Sequence, residues 1–440
     1  MKNSILFKGN LLRDVSAFAL ANIMSKLAAL FFLPFIITKI PPEQFGIYDS
    51  FLVVFTVFSS VLSLGLDSGT ANYLANHSKN AGLLKTFYSF TIYVFIANML
   101  LLSLVLVLLF KYEVSLIKIS SQKFYLLLWI FVFFQYFNYL TFNFLRWTGR
   151  ANVSAVINSV ISLLSYIFGA LFISIYQENA FNLILGLILG NVLGFLIYSF
   201  FAFQYLTLRI SKRYVPLLRK VIVQSLPFGP MSLTKTGSIA IERTIVSNFL
   251  SSELYGYYSI LSRIGRMPLF LYNSFGSAVH PYLFKGFGSI ETRELSKRIY
   301  NGLIISAVFI FALMCIYEAE ILSIFRVSEL PNELRGLLSV LFIGQFVLVL
   351  RSLFSNGFLI SGRTIYQLLL LFVGLLGLLI FGDLIISKFN VSGFIIFFTY
   401  LGVFISAISI YWSEYLGKSG INKHILTLMF VLIILAHCLR

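Results

Sequence analysis

The chain has 440 residues, 59% of them hydrophobic and only 11% charged, with a mean hydropathy of +0.92. Soluble domains carry roughly 25% charged residues, so this composition excludes a string of soluble domains and places the chain in a bilayer. The net charge of +17 admits a nucleic-acid partner in principle, but its placement in short loops between apolar runs excludes one and makes it a topology signal.

At about 20 residues per crossing the chain has room for about a dozen helices. Apolar stretches run over 15–37, 47–66, 87–110, 124–145, 152–175, 181–206, 223–249, 254–280, 299–317, 337–360, 364–386 and 391–413. A shorter thirteenth covers 424–438 and is marginal for a full crossing. The runs are continuously apolar rather than alternating, which fits helices and not barrel strands. The first run is too long for a signal-peptide core and no small-residue cleavage pattern follows it, so it is expected to stay. The expected fold class is an all-α integral membrane protein of 12 helices, 13 if the last run crosses.

Short loops set the orientation. With the N-terminus inside, 19 lysines and arginines fall in inner loops and 8 in outer ones, while Lys26, Lys235, Arg243, Arg263, Arg266 and Arg351 fall within spans. The expectation is a multi-pass protein of the bacterial cytoplasmic membrane with its N-terminus in the cytoplasm.

The 207–224 loop has five basic residues and no acid. It is expected to link an N-terminal six-helix lobe (1–206) to a C-terminal one (225–413), with a tail over 414–440. Internal repetition supports two halves. Glu43-Gln44-Phe45-Gly46-Ile47-Tyr48 and Glu253-Leu254-Tyr255-Gly256-Tyr257-Tyr258 occupy equivalent loops at an offset of 210 residues, and Lys26 maps one residue past Lys235. An even number of spans per half makes this a parallel repeat, and transporters place substrate sites between such repeats.

A charge at a helix centre costs about 2.5–3.5 kcal/mol on insertion scales, so mid-span charges are candidates for a wet cavity. Lys26 shares a helix face with Asn22 and Ser25. The eighth span carries a stripe of Ser259, Ser262, Arg263, Arg266, Asn273, Ser277 and His280. Six mid-span cations face one clear mid-span acid, Glu242, with Asp67 closing the second span. That imbalance calls for an anion, and arginine suits phosphate because its planar fork makes paired hydrogen bonds. The candidate cationic cavity is therefore Lys26, Lys235, Arg243, Arg263, Arg266 and Arg351, with Asn22, Ser25, Ser259, Ser262 and Asn273 in support and Asp67 and Glu242 as coupling or structural acids. The alternative for such cations is snorkelling or pairing with helix C-terminal carbonyls. Pro34, Pro227, Pro230 and Pro268 fall in the first, seventh and eighth spans and are expected to kink them.

Chemistry beyond binding finds no purchase. Gly417-Lys418-Ser419 lacks the upstream glycine of a nucleotide-binding loop, since Trp412 stands there. His77, His280, His424 and His437 lack metal-ligand spacing, and Cys315 and Cys438 lie in apolar runs. No loop long enough for a catalytic domain exists. The expectation is a transporter without a cofactor, not an enzyme.

Three stretches carry a family resemblance: Pro41-Pro42-Glu43-Gln44-Phe45-Gly46-Ile47-Tyr48, then Leu64-Gly65-Leu66-Asp67-Ser68-Gly69, then Leu226-Pro227-Phe228-Gly229-Pro230 through to Gly256-Tyr257-Tyr258-Ser259. Over about 10–415 the chain resembles the polysaccharide repeat-unit flippases, the O-antigen translocase (Wzx-type) branch of the multidrug/oligosaccharidyl-lipid/polysaccharide (MOP) exporter superfamily. Relatives often show an Asp-Arg pair where this chain has Glu242-Arg243. The resemblance implies two six-helix lobes, a central cationic cavity, alternating access, and an undecaprenyl-pyrophosphate-linked oligosaccharide of O-antigen or lipopolysaccharide type as cargo. It also implies membrane lipids, a glycan polymerase and assembly proteins as partners of a monomer. Two alternatives stand beside it. A multidrug exporter of the same superfamily would favour acidic cavity residues for cationic drugs, and a membrane glycan polymerase would need a large external loop.

Overall fold

The computed structural model describes residues 24, 27–66, 70, 74, 80–112, 122–148, 150–207, 212–226, 228–269, 272, 290–325, 327, 330–354, 358 and 364–417. Regular structure among the described residues is helical: α1 Leu27–Lys39, α2 Pro42–Ser63, α3 Ala81–Lys111, α4 Gln122–Trp147, α5 Ala151–Ile175, α6 Ala180–Ala202, α7 Val215–Ser225, α8 Phe228–Phe249, α9 Ser252–Arg266, α10 Ile290–Ile316, α11 Glu318–Ile324, α12 Leu337–Phe354 and α13 Thr364–Gly417, with short 3-10 turns. Seven of these are long and apolar enough to cross a membrane, and the pair α10–α11, bent by 85°, makes eight. α9 has 15 residues, and α8 carries Lys235, Glu242 and Arg243. The run 424–438 lies outside the described residues.

The chain divides into two compact units, Met1–Ala240 and Ile241–Arg440. In the first, helix packing follows the bilayer rule that small residues let backbones approach. A Cβ on Gly190 of α6 would meet Ser165 of α5 at its Cα, 2.5 Å away, and Gly186 sits as tightly on Gly169. Polar groups close the remaining gaps. Asn138 of α4 donates to the Asn191 carbonyl of α6 at 2.9 Å, and the Tyr198 hydroxyl to the Ser154 carbonyl at 3.1 Å. Helix starts are capped where sequence offers an oxygen: Asn80 accepts from the Leu83 amide at 3.1 Å and Asn179 from the Asn182 amide at 2.9 Å.

α2 ends in two left-handed residues, Leu64 (φ 46°) and Gly65 (φ 70°). Its Leu62 carbonyl accepts from Asn98 Nδ2 at 2.6 Å and from the Tyr136 hydroxyl at 2.8 Å, which ties the end of α2 to α3 and α4. Gly65 lies against the Ser225 carbonyl and the Gly229 amide, within 2.5 and 2.7 Å of where a Cβ would stand. Two of the stretches that carried the family resemblance, around Gly65 and around Gly229, therefore touch.

The 207–224 segment, read as a loop, contains α7. Pro216 opens the helix, Leu218, Val221 and Ser225 are buried, and Arg213, Arg219 and Lys220 are exposed. It is amphipathic, as expected of a helix lying at a membrane interface. Pro230 falls in the first turn of α8, where a missing amide costs nothing, so it starts a helix instead of kinking one. Pro227 lies outside the described residues.

In the second unit α11 occupies part of the 318–335 stretch between the ninth and tenth apolar runs. The Glu318 carboxylate accepts the Gly336 amide at 3.1 Å and ties the bend to the start of α12. α12 packs on α9 through Gly265 and on α13 through Gly344, which faces Thr399. α13 is two helical arms broken at Asn390 (φ 59°, ψ −173°). Gly377 faces Leu401 and Gly374 faces Ile405, so the arms run antiparallel and match the eleventh and twelfth apolar runs.

The repeat is visible in the helix starts. α2 begins at Pro42 and α9 at Ser252; α6 begins at Ala180, and the arms of α13 reverse at Asn390. Phe45, Gly46 and Tyr48 are buried in one copy, as are Tyr255, Gly256 and Tyr258 in the other.

Candidate functional site

In the second unit, α8 and α9 bring together Glu242, Arg243, Tyr258, Ser262 and Arg266. Ser251 caps α9 by accepting the Leu254 amide at 3.2 Å, and Glu253 in the first turn complements the helix dipole. The other end is closed by Pro268. A proline there has no amide to give to the Ile264 carbonyl, which instead takes the Met267 amide at 3.0 Å. Arg263 and Arg266 therefore sit in the last turn of α9, where exposed carbonyls favour cations. The helix end favours these two cations, the alternative that the sequence offered for mid-span cations in general.

The side chains divide by depth. The Glu242 and Arg243 side chains are each 1% exposed, whereas Arg266 is 23% exposed. Arg243 Nη2 donates to Ser262 Oγ at 2.6 Å, its Nη1 lies 3.8 Å from Glu242 Oε1, and its guanidinium stacks 4.8 Å from the Tyr258 ring centre. The Tyr258 hydroxyl donates to Glu242 Oε1. Arg266 Nη2 stands 3.6 Å from Glu242 Oε2. One buried carboxylate thus serves two arginines, and the group carries a net charge of +1. The sequence set these cations against an external anion; the structure supplies part of the compensation internally. Tyr258 was not selected as a site residue, although it closes the repeated hexamer. Its position 16 residues after Glu242 gives no periodic signal, because the two lie on different helices.

The remaining candidates fall elsewhere. Ser259 is fully buried on α9 and Arg263 half-buried. Lys235 is exposed on α8, within the first unit. Arg351 is 7% exposed on α12. Lys26, Asn22, Ser25, Asp67 and Asn273 lie outside the described residues. An open cleft of about 710 Å³ in the first unit, lined by Lys123, Tyr176, Gln177, Asn179 and Asn182 among others, contains none of the selected residues.

The repeat supplies an internal control. Counting back 210 residues, Glu242, Arg243, Ser262, Arg263 and Arg266 map to Phe32, Leu33, Leu52, Val53 and Thr56. Leu33 and Val53 are buried, and the Thr56 hydroxyl donates to the Val53 carbonyl at 2.7 Å. The first copy carries no charge at these five positions, so a charged cluster is not a general requirement of such a helix pair.

Comparison with known proteins places the chain. Residues 11–287 match the model of the family described as polysaccharide biosynthesis protein. Among curated proteins no relative matches. A multidrug resistance MATE family transporter of the MOP superfamily, solved facing inward, superposes with a TM-score of 0.68 at 14% identity, covering 92% of this chain and 95% of that one. The outward-facing conformation of such a transporter gives 0.63 at 15% identity, covering 93% and 95%. A MOP superfamily transporter from Pyrococcus furiosus, described as having a binding pocket of reverse polarity, gives 0.64 at 13% identity, covering 92% and 96%. At such identities the likeness is one of fold. The family match spans more than half the chain, so this multi-pass membrane protein belongs to the polysaccharide biosynthesis protein family and has the fold of MOP-superfamily transporters.

Proposed function

We propose that the chain is a flippase that carries a lipid-diphosphate-linked oligosaccharide, of the kind assembled into O-antigen or a similar surface polysaccharide, across the bacterial cytoplasmic membrane by alternating access. Its N-terminus is cytoplasmic in this reading, and Lys26, Lys235, Arg263, Arg266 and Arg351 line the path of the diphosphate. The observation that carries it is Arg266: a partly exposed guanidinium in the last turn of the amphipathic helix α9, beside a buried carboxylate that leaves the three-residue group Glu242, Arg243 and Arg266 at net +1. A lipid diphosphate cannot cross a low-dielectric core bare, and such a group replaces part of its hydration while the lipid tail stays in the bilayer. The family match supports a polysaccharide precursor as cargo. The likeness to multidrug transporters favours a drug exporter as second reading, which the sign of the mid-span charge opposes.

The test is deletion followed by replacement. Loss of the gene is expected to leave the lipid-linked glycan on the cytoplasmic side. Arg266→Ala at equal abundance is expected to abolish its export, with Arg266→Lys partly active because charge is kept and the fork lost. Normal export by both Arg266→Ala and Lys26→Ala removes the anionic-cargo reading.

A further inference from the structure

We infer that Glu242 is a resident counter-ion that competes with an anionic group of the cargo for Arg266, and so sets how tightly the cargo is held and how fast it leaves. The inference rests on the proposed diphosphate-bearing cargo and adds to it the residue that governs release.

The geometry separates two arginines that sequence would treat alike. Arg243 is fixed on three sides, by the Ser262 hydroxyl, the Tyr258 ring and the Glu242 carboxylate, and is 1% exposed. No ligand can reach it without opening the helix pair. Arg266 reaches the same carboxylate, by its other oxygen and at the longer distance of 3.6 Å, while 23% of its side chain stays accessible. An incoming phosphate oxygen meets Arg266 from that accessible side. Glu242 remains behind it, 1% exposed, unable to follow the cargo or to be replaced by water.

Among the described residues, Arg243 from its own helix and Arg266 from α9 face Glu242, with Tyr258 of α9 as neutral donor to Oε1. The group sums to +1, enough to accept one anionic oxygen and reach neutrality. Without Glu242 it would be +2, and a doubly charged site in a low-dielectric setting binds phosphate oxygens strongly and gives them up slowly. A carrier needs release as much as capture. A carboxylate is not a general requirement of such a helix pair, because the first repeat has Phe32 at the position 210 residues back. A buried ion pair is weak evidence of a stabilising role, and holding and releasing an anion gives this one a function beyond packing.

The signs of two substitutions carry the test. Glu242→Gln removes the competing charge and keeps the shape. For a unit charge roughly 7 Å from the bound phosphate at an effective dielectric near 20, the effect is a factor of tens. Tyr258→Phe removes the donor that partly satisfies Glu242, leaving the carboxylate to pair more strongly with Arg266. The full-length protein is purified into nanodiscs, and binding of farnesyl diphosphate is measured with farnesol and inorganic pyrophosphate as comparisons. Glu242→Gln is expected to bind farnesyl diphosphate at least about tenfold more tightly, with a correspondingly slower off-rate, and to export glycan more slowly in cells. Tyr258→Phe is expected to weaken binding several-fold, and Glu242→Asp to stay near wild type. If Glu242→Gln does not fold, the direction of the Tyr258→Phe effect decides. Both substitutions weakening binding, or neither changing it, overturns the inference while leaving the cargo reading intact so long as Arg266→Ala abolishes binding. Failure of the wild-type protein to bind farnesyl diphosphate in preference to farnesol overturns the cargo reading and this inference with it. Inorganic pyrophosphate binding as well as the lipid assigns recognition to the headgroup alone.

Discussion

Arg243→Ala separates a structural arginine from a cargo-facing one. The substitution removes a charge-assisted hydrogen bond to Ser262 at 2.6 Å and a stack on Tyr258 at 4.8 Å. Hydrogen bonds to charged groups contribute about 1.5–3 kcal/mol, and a desolvated cation–π contact about 2 kcal/mol. The two act through one side chain and do not add fully. A further cost arises because Glu242 loses a partner while buried, although Arg266 and Tyr258 remain to it. Breaking a buried pair costs about 3–5 kcal/mol, a large share of a total stability of about 5–15 kcal/mol. Arg243→Ala is therefore expected to unfold at clearly lower temperature in detergent and to accumulate poorly. Arg266→Ala, partly exposed and 3.6 Å from its acid, is expected to cost about 1 kcal/mol or less after solvent screening. The assay is thermal unfolding of purified protein beside glycan export normalised to abundance. The reasoning is refuted if Arg243→Ala melts like wild type yet exports nothing, since Arg243 would then act on cargo. It is equally refuted if Arg266→Ala is the variant that fails to fold.

Further outcomes follow from the helix geometry. Gly65→Ala places a Cβ within 2.5 Å of the Ser225 carbonyl at φ 70°, and is expected to lower stability by about 2–4 kcal/mol in thermal unfolding; an unchanged melting temperature refutes the close approach. Gly190→Leu forces α5 and α6 apart at Ser165 and is expected to cost about 1–3 kcal/mol, read by the same assay and by loss of a disulfide engineered across the seam. A cysteine at Ser328 is expected to react with an impermeant thiol reagent from outside, and one at Ser289 is not; the reverse pattern overturns the topology drawn from basic loop residues.

The all-helical, apolar character of the chain was legible in the sequence, and the 210-residue offset recurs in the helix starts. Membrane helices announce themselves by length and hydropathy, and the two hexamers at offset 210 recur as buried helix starts at Pro42 and Ser252. Three things were not legible. α7 lies in a segment too basic to read as a span, and its amphipathic character emerges only once Leu218 and Val221 are seen buried. Pro230 starts a helix where sequence suggested a kink, since the distinction depends on whether the preceding turn is helical. Above all, the service of one acid to two arginines needs the contact of α8 with α9. Composition counts charges by span and cannot see that Glu242 reaches Arg266 across 24 positions of chain.

Each unit also contains a helix pair whose partners are neighbours in sequence. In the first, α5 and α6 meet along glycines and serine with four residues between them; in the second, the arms of α13 fold back at a single residue, Asn390. Such pairs close short loops, which is entropically the cheapest kind of tertiary contact. As the chain leaves the ribosome, α5–α6 can zip while everything after residue 202 is still unmade, and the arms of α13 can zip at the end with no help from residues long since inserted. Assembly thus has a local starting point near the close of each unit, a hairpin against which the earlier, longer-range helices of that unit can settle. Insertions into the 176–179 turn or at Asn390 would then act first on the yield of folded protein, and only secondarily on how that protein performs once made.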